Sequence, residues 1–139
     1  KGNGARRLAV FSDADCPFCK RLENEFKNID DVTIYTFLYP IDQLHPDAAR
    51  KSRLIWCAPD KLKAWDAFFE SGALPQNNGD CDNPLAATGQ LAQRMRVTAT
   101  PTLVFADGNV IAGALPAPRL EAELKQSEAE AARLAAAKK

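Results

Sequence analysis

The chain has 139 residues, which is the size of a single domain. Hydrophobic residues make up 46% and charged residues 26%, so the chain can bury a sizeable core without depending on its four cysteines. The formal net charge is zero, so the composition gives no sign of the strongly basic balance typical of nucleic-acid-binding domains. No apolar run approaches the roughly 18 residues that a membrane-spanning helix needs.

The first part of the chain predicts two strands. Residues 1–7 are basic and rich in glycine, and are interpreted as the remnant of a linker, so the domain is expected to cover residues 8–139. An apolar run that ends in Ser-Asp, residues 8–13, predicts the first strand. A run rich in β-branched and aromatic residues, residues 32–40, predicts the second.

A helix is expected between these strands, over residues 16–27. Its apolar residues recur with helical spacing and form one stripe that we expect to be buried: Cys19, Leu22, Phe26 and Ile29. Pro17 suits the first turn of this helix. Asp13 or Asp15 is expected to cap it, because a carboxylate can accept the free N–H groups of a first turn.

The middle of the chain predicts consecutive helices and a loop. Pro46 opens one helix that runs to about Cys57, and Pro59 ends it and opens the next. Three apolar residues of the second helix are expected to share a face: Leu62, Trp65 and Phe69. A loop rich in glycine, asparagine and proline follows, and then a helix over residues 84–95.

The end of the chain predicts a hairpin and a helix. Two apolar runs flank Asp107-Gly108-Asn109, which is a strong turn signal, and a long helix follows from Pro118. The order is therefore strand–helix–strand, a group of helices, then strand–strand–helix. A strand–helix–strand unit requires a parallel pair and a hairpin adds antiparallel strands. We therefore predict an α/β chain with a thioredoxin fold that carries a helical insertion in its middle.

Cys16 and Cys19 stand where the first strand gives way to the first helix. A C-x-x-C spacing by itself fits a redox pair, half of a zinc site or two buried structural thiols, but its place inside a strand–helix–strand unit favours the redox pair. The first turn directs free N–H groups and the positive end of the helix dipole at Cys16, which favours its thiolate, while Asp15 opposes it. Cys19 lies one turn deeper and is expected to be the resolving thiol.

Thr100 and Pro101 precede the first strand of the hairpin. Proline cannot donate to a strand ladder, so we expect Pro101 at the first strand position. In a thioredoxin fold this loop lies against the cysteine pair with a cis peptide bond, and Thr100 would present its backbone to an extended substrate chain. The alternative is an ordinary trans proline that begins a strand.

Cys57 and Cys81 remain if Cys16 pairs with Cys19. A bond between them would enclose about 25 residues, and two such pairs indicate an oxidising compartment. The competing interpretation is a four-cysteine zinc site, whose second half would usually be another closely spaced pair. His45, the only histidine, is expected in a surface turn.

Four segments together resemble the catalytic domain of the periplasmic disulfide isomerases DsbC and DsbG: AVFSDADCPFCKRLE, IWCAPDKLKAWDAF, CDNP and TATPTLVFADGNVIAG. The resemblance runs from about Gly2 to Leu124. It implies that Cys16 is the attacking thiol and Cys19 the resolving thiol, with Pro17 and Phe18 supporting the loop between them. It also implies that Thr100 and Pro101 form a substrate-binding loop and that Cys57 and Cys81 form a structural disulfide.

The same resemblance implies a thiol:disulfide interchange protein that isomerises or reduces misfolded periplasmic proteins without a metal or an organic cofactor. Its partners would be disulfide-containing substrate proteins and a membrane reductase of the DsbD type. Full-length family members carry an N-terminal dimerisation domain, which we do not find here, so a homodimeric parent is expected. The Pro17-Phe18 pair is close to the Pro-Tyr of DsbG, which leaves a DsbG-like reductase of oxidised single cysteines as an alternative, with a zinc-binding structural module as a third.

Overall fold

The structure is a computed structural model that describes residues 4–137. Residues 1–3 of the expected linker and residues 138–139 of the expected domain lie outside the described residues. The strands are β1 (Arg6–Ser12), β2 (Val32–Leu38), β3 (Thr102–Phe105) and β4 (Val110–Ala112). The helices are α1 (Pro17–Phe26), α2 (Ala48–Trp56), α3 (Lys61–Ser71), α4 (Leu85–Arg94) and α5 (Ala117–Ala137). None of the described helices has the length and hydropathy to cross a membrane.

The four strands form one sheet in the order β2-β1-β3-β4. β1 runs parallel to β2 and antiparallel to β3, and β4 completes an antiparallel hairpin with β3. This order and these directions confirm the thioredoxin fold predicted from the sequence, with α2, α3 and α4 inserted between β2 and β3.

The first strand begins earlier than its apolar run. Arg6 and Arg7, which were expected in the linker, pair with Val32 and Thr33 at the start of β2. Their side chains reach α5, where Arg6 forms an ion pair with Glu121 and Arg7 with Glu128. Pairing with β2 and ion pairs with α5 therefore extend β1 beyond the apolar residues from which the strand was predicted.

The expected stripe on α1 is buried and joins two parts of the core. Leu22 and Phe26 pack with residues of β1, β3 and α5 in the main cluster. Cys19 belongs to a second cluster, which is formed largely by the inserted helices: Cys16, Cys19, Leu38, Ile55, Trp65 and Phe69. The insertion therefore packs in one cluster with both cysteines.

The expectation for α3 holds for two of its three apolar residues. Trp65 and Phe69 are buried, whereas Leu62 is 71% exposed. Leu62 lies in the first turn of the helix, at the edge of a cleft rather than over the second cluster. The helix is capped by Asp60, whose side chain accepts the N–H of Lys63 at 3.1 Å, so the helix start is determined by the cap and not by the apolar face.

Cys57 and Cys81 form a disulfide between the end of α2 and the loop before α4. The loop is also held by hydrogen bonds to α2. Trp56 donates its indole N–H to the carbonyl of Asp82 at 3.1 Å, and Asn77 donates to the carbonyl of Leu54 at 3.0 Å. The bond therefore fixes a long loop to the inserted helices.

Replacing both Cys57 and Cys81 with serine should lower the free energy of unfolding by about 3–4 kcal/mol, because a closed loop of about 25 residues restricts the unfolded chain. Urea denaturation followed by tryptophan fluorescence measures the change. The double substitution is used because either single one would leave a reactive free thiol. An unchanged denaturation midpoint would show that the bond does not stabilise the fold.

Candidate active site

Cys16 is the residue immediately before α1. Its backbone is extended, with φ −84° and ψ 120°, and 5% of the surface of Cys16 is exposed. Its thiol donates a hydrogen bond to the carbonyl of Thr100 at 3.4 Å. The N–H groups of the first turn have no side-chain cap, so the prediction that Asp13 or Asp15 caps α1 is wrong. The helix starts directly after Cys16, and both carboxylates bind other groups.

Cys19 is the more deeply buried thiol, with 1% of its surface exposed. Its sulfur accepts the backbone N–H of Asp13 at 3.4 Å. Burial raises the pKa of Cys19 to about 12, since a thiolate loses its hydration there, and the hydrogen bonds from Ser12 and Asp13 offset only part of this effect. The two thiols therefore differ in environment, and Cys19 is held in its protonated form near neutral pH.

Asp13 connects the cysteines to the rest of the fold. Its side chain is fully buried, with one oxygen accepting the N–H of Asp15 at 2.9 Å. The other oxygen accepts the N–H of Ile41 at 2.9 Å and lies 2.8 Å from Nδ1 of His45. Its backbone carbonyl accepts the N–H of Cys16 at 3.2 Å. The backbone of Asp13 thus contacts both cysteines, and its side chain contacts the segment that follows β2.

His45 lies after β2 near the surface, as expected, but its ring is not free. The side chain is 21% exposed and faces the buried carboxylate of Asp13. Sequence reasoning missed this contact because the two residues are 32 positions apart. Only the return of the chain from β2 across the end of β1 brings them together.

Asp15 is paired in a similar way. Its carboxylate accepts from Nζ of Lys51, on α2, at 2.6 Å. The Lys51 ammonium also lies 5.7 Å from the centre of the Phe68 ring on α3. The negative charge beside Cys16, which we expected to oppose the thiolate, is therefore offset by a cation that the sequence did not identify.

Thr100 and Pro101 lie beside Cys16, joined by a cis peptide bond. Pro101 is buried, and its carbonyl accepts the N–H of Gly113 at 2.8 Å. The next residue, Thr102, pairs with Phe11 near the end of β1. Since antiparallel strands place the end of one beside the start of the other, this pairing brings the loop to the cysteines.

The surface next to Cys16 is apolar and accessible. Pro17 is exposed, and Phe18 has 54% of its surface exposed. The guanidinium carbon of Arg21 lies 5.2 Å from the centre of the Phe18 ring, an arrangement that allows a cation–π contact. An apolar edge beside the cysteine pair is therefore open to solvent.

Glu23 joins α1 to the insertion. The indole N–H of Trp65 donates to its carboxylate at 2.9 Å, at the wall of a cleft of about 370 Å³ between α1, β2 and α3. Burial raises the pKa of Glu23, the hydrogen bond from Trp65 lowers it, and the charge of Asp66 raises it further. The net result is a pKa above the ordinary value, so the ionised form is disfavoured in the folded chain.

The alternative interpretation, in which all four cysteines bind zinc, is wrong. It would need four thiolate ligands, and Cys57 and Cys81 are bonded to each other. Within residues 4–137, no group of three or more histidine, cysteine, aspartate or glutamate side chains is arranged to hold a metal ion.

Comparison with known proteins agrees with the geometry. A family model described as a thioredoxin-like domain matches residues 1–128. A probable thiol:disulfide interchange protein DsbC from Bordetella parapertussis is 42% identical over 89% of this chain and 43% of its own length. The Escherichia coli K12 thiol:disulfide interchange protein DsbC is 26% identical over 87% of this chain and 51% of its own. The chain therefore spans about half the length of these relatives.

A crystal structure of a disulfide interchange protein from Neisseria gonorrhoeae superimposes with a TM-score of 0.86 at 49% sequence identity, covering 91% of each chain. Fold and site thus define a thioredoxin-like domain. More particularly, the chain belongs to the DsbC-like disulfide interchange proteins of the thioredoxin-like family.

Iodoacetamide added to the reduced protein at pH 7 should label Cys16 roughly tenfold or more faster than Cys19, because the thiolate is the form that reacts and burial holds Cys19 as a thiol. Peptide mapping by mass spectrometry at short times measures the ratio. Labelling in urea is the control, since unfolding should make the two rates similar. Faster labelling of Cys19 in the folded chain would reverse the two assignments.

Changing Glu23 to Gln should stabilise the fold relative to the parent more at pH 7 than at pH 4. Because the pKa of Glu23 is raised by burial, the parent loses stability as pH rises from the unfolded-state value of about 4.3 through the folded-state pKa. The glutamine cannot ionise, so the variant should gain stability relative to the parent across that interval. Urea denaturation at pH 4 and pH 7 tests this, and a constant difference between the two proteins would contradict it.

Proposed function

We propose that this domain performs thiol:disulfide interchange on protein substrates in the periplasm, with Cys16 as the attacking thiol and Cys19 as the resolving thiol. The observation that carries the proposal is the placement of Cys16, which stands at an uncapped helix start and contacts the carbonyl of Thr100 at 3.4 Å. Cys19 is buried one turn further along the same helix. Cys16 adjoins the exposed Pro17 and Phe18 and Cys19 is the deeper of the two thiols, which supports Cys16 as the thiol that meets the substrate.

The reaction starts with loss of the Cys16 proton. The hydrogen bond from the Cys16 S–H to the Thr100 carbonyl exists only while Cys16 is a thiol, so ionisation of Cys16 frees this carbonyl. The N–H groups of the first turn stabilise the negative charge on the sulfur. The Cys16 thiolate attacks one sulfur of a substrate disulfide. A bond forms between Cys16 and that sulfur, and the other substrate sulfur leaves as a thiolate that takes up a proton.

Two outcomes of the mixed disulfide are possible chemically. In isomerisation, another substrate thiolate attacks the substrate sulfur bound to Cys16, so a new substrate disulfide forms and the enzyme leaves reduced. In reduction, the Cys19 thiolate attacks Cys16, so the enzyme becomes oxidised and the substrate leaves with two more electrons. Because burial raises the pKa of Cys19, its thiolate is rare, and slow resolution gives substrate thiols time to search for other partners.

The substrate is proposed to bind across Thr100, Pro101 and the exposed Phe18. Thr100 has a backbone carbonyl that Cys16 vacates on ionisation, which can accept an N–H from an extended chain. Phe18, at 54% exposure, offers contact to the apolar segments that a misfolded protein exposes. The exposed ring favours misfolded chains over compact ones as substrates.

The same ring supports a second candidate, a DsbG-like reductase of oxidised single cysteines. Cys16 would attack the sulfur of a sulfenic acid and release water, and Cys19 would then release the substrate thiol by forming the enzyme disulfide. Both reactions begin with Cys16, so substrate preference separates them. Reaction with a single-cysteine sulfenic acid protein, compared with a scrambled disulfide protein, measures it.

In the full-length parent we propose that this catalytic domain, expected over residues 8–139 and with a first strand that begins at Arg6, is attached to an N-terminal dimerisation domain. The proposal is supported by the family resemblance and by the chain spanning only about half the length of its relatives. A membrane reductase of the DsbD type is proposed to return electrons to the Cys16–Cys19 disulfide after each reduction. No metal or organic cofactor takes part in these steps.

The isolated domain should reduce disulfides but isomerise them poorly. Isomerisation requires the substrate to stay bound while its thiols search, and two joined active sites raise the effective concentration. We expect the domain to regain activity from a scrambled multi-disulfide protein roughly tenfold more slowly, per active site, than its dimeric parent. A Cys16→Ser variant is the inactive control. Equal isomerase rates would show that dimerisation is not required, and failure to reduce any disulfide would overturn the proposed function.

A further inference from the structure

The turn between β1 and α1 contains two aspartates, and both are held by the same distant segment. Asp13 meets His45 at 2.8 Å, and Asp15 meets Lys51 at 2.6 Å. His45 precedes α2, and Lys51 lies in its first turn. The segment that follows β2 therefore supplies one basic side chain to each acidic residue of the active-site turn.

The contact between His45 and Asp13 reaches the cysteines through the backbone. The oxygen that faces His45 also accepts the N–H of Ile41, and a carboxylate oxygen can only accept, so Nδ1 of the ring supplies the proton. The other oxygen binds the N–H of Asp15. These side-chain contacts hold the backbone of the turn in place, and that backbone carries the Asp13 N–H that binds Cys19 and the Asp13 carbonyl that binds the N–H of Cys16.

The contact between Lys51 and Asp15 acts through charge. Both side chains are 22% exposed, so solvent screens this pair less than an ordinary surface pair. Asp15 adjoins Cys16 in the chain, and an unpaired carboxylate there would disfavour the Cys16 thiolate. The neighbouring pair of Arg50 and Asp47 provides a contrast, since its side chains are 53% and 50% exposed and lie on the surface of α2.

We infer that His45 and Lys51 are positioning residues for disulfide exchange, which hold the active-site turn and offset its negative charge, and so set the reduction potential of the Cys16–Cys19 pair. This assignment rests on the function proposed above. Neither side chain touches the sulfurs in the contacts described, and each acts through an aspartate. Losing Lys51 leaves the Asp15 carboxylate unpaired beside Cys16. Losing His45 removes a hydrogen-bond donor from the buried Asp13 carboxylate that holds the turn. Either change is expected to destabilise the reduced pair relative to the disulfide.

The first measurement is the equilibrium of each protein with reduced and oxidised glutathione, quenched with acid and analysed by mass spectrometry. His45→Ala and Lys51→Met should each change the equilibrium constant about tenfold toward the enzyme disulfide, which corresponds to a potential about 30 mV more negative. Attack on oxidised glutathione at pH 7 should slow in both. Circular dichroism and urea denaturation establish that each variant is folded.

Conservative variants separate positioning from general stabilisation. His45→Asn keeps an N–H donor near the position of Nδ1, and Lys51→Arg keeps the cation. The equilibrium constant of each variant with glutathione should therefore lie within about twofold of the parent value. Arg50→Met is the matched control, because its guanidinium pairs with Asp47 on the open surface and reaches Asp15 only at longer range. Its equilibrium constant should change much less than that of Lys51→Met.

The outcomes distinguish this inference from the proposed function. If the parent exchanges with glutathione and the His45→Ala and Lys51→Met variants have its potential, the positioning role is wrong while the proposed function stands. The same conclusion follows if Arg50→Met shifts the potential as much as Lys51→Met. If the parent does not exchange with glutathione at all, the proposed function is overturned and the inference falls with it. Should His45→Ala fail to fold, the shift in Lys51→Met and its reversal by Lys51→Arg decide the question.

Discussion

The buried carboxylate of Asp13 is the interaction on which the arrangement of the site depends. A fully buried carboxylate is costly unless its oxygens are hydrogen-bonded, and here two backbone N–H groups and the ring of His45 meet them. These three donors come from the active-site turn and from the segment after β2. Satisfying one buried charge therefore holds together two parts of the chain that are distant in sequence, and the backbone of the same residue contacts both cysteines.

The inserted helices give the two thiols different chemistry. Trp65, Phe69 and Ile55 pack over the cysteine pair, and this cover removes water from Cys19. Desolvation then raises the pKa of Cys19, while Cys16 stays at the helix start beside the exposed Phe18. The insertion thus does more than enlarge the core, because the burial to which it contributes disfavours the Cys19 thiolate, while Cys16 lies next to the exposed Phe18.

The position of β1 between β2 and β3 explains why segments that are distant in sequence meet at the end of β1. Its end is followed by the cysteine turn, and its antiparallel neighbour β3 begins directly after Pro101. Its parallel neighbour β2 ends at the same edge and leads into the segment that carries His45 and Lys51. One strand with a parallel and an antiparallel partner therefore collects the cysteine turn, the proline loop and the basic side chains.

The sequence alone determined the order of elements, the buried stripe on α1 and the hairpin, because these follow from periodicity and turn residues that act locally. It also indicated the place of the C-x-x-C pair in a strand–helix–strand unit. Only the tertiary structure decided the partners of Asp13 and Asp15, which lie 32 and 36 positions away, and the exposure of Leu62. Periodicity reports which face of an element is apolar, whereas a buried charge is paired by whichever donor the packing of distant segments brings within reach.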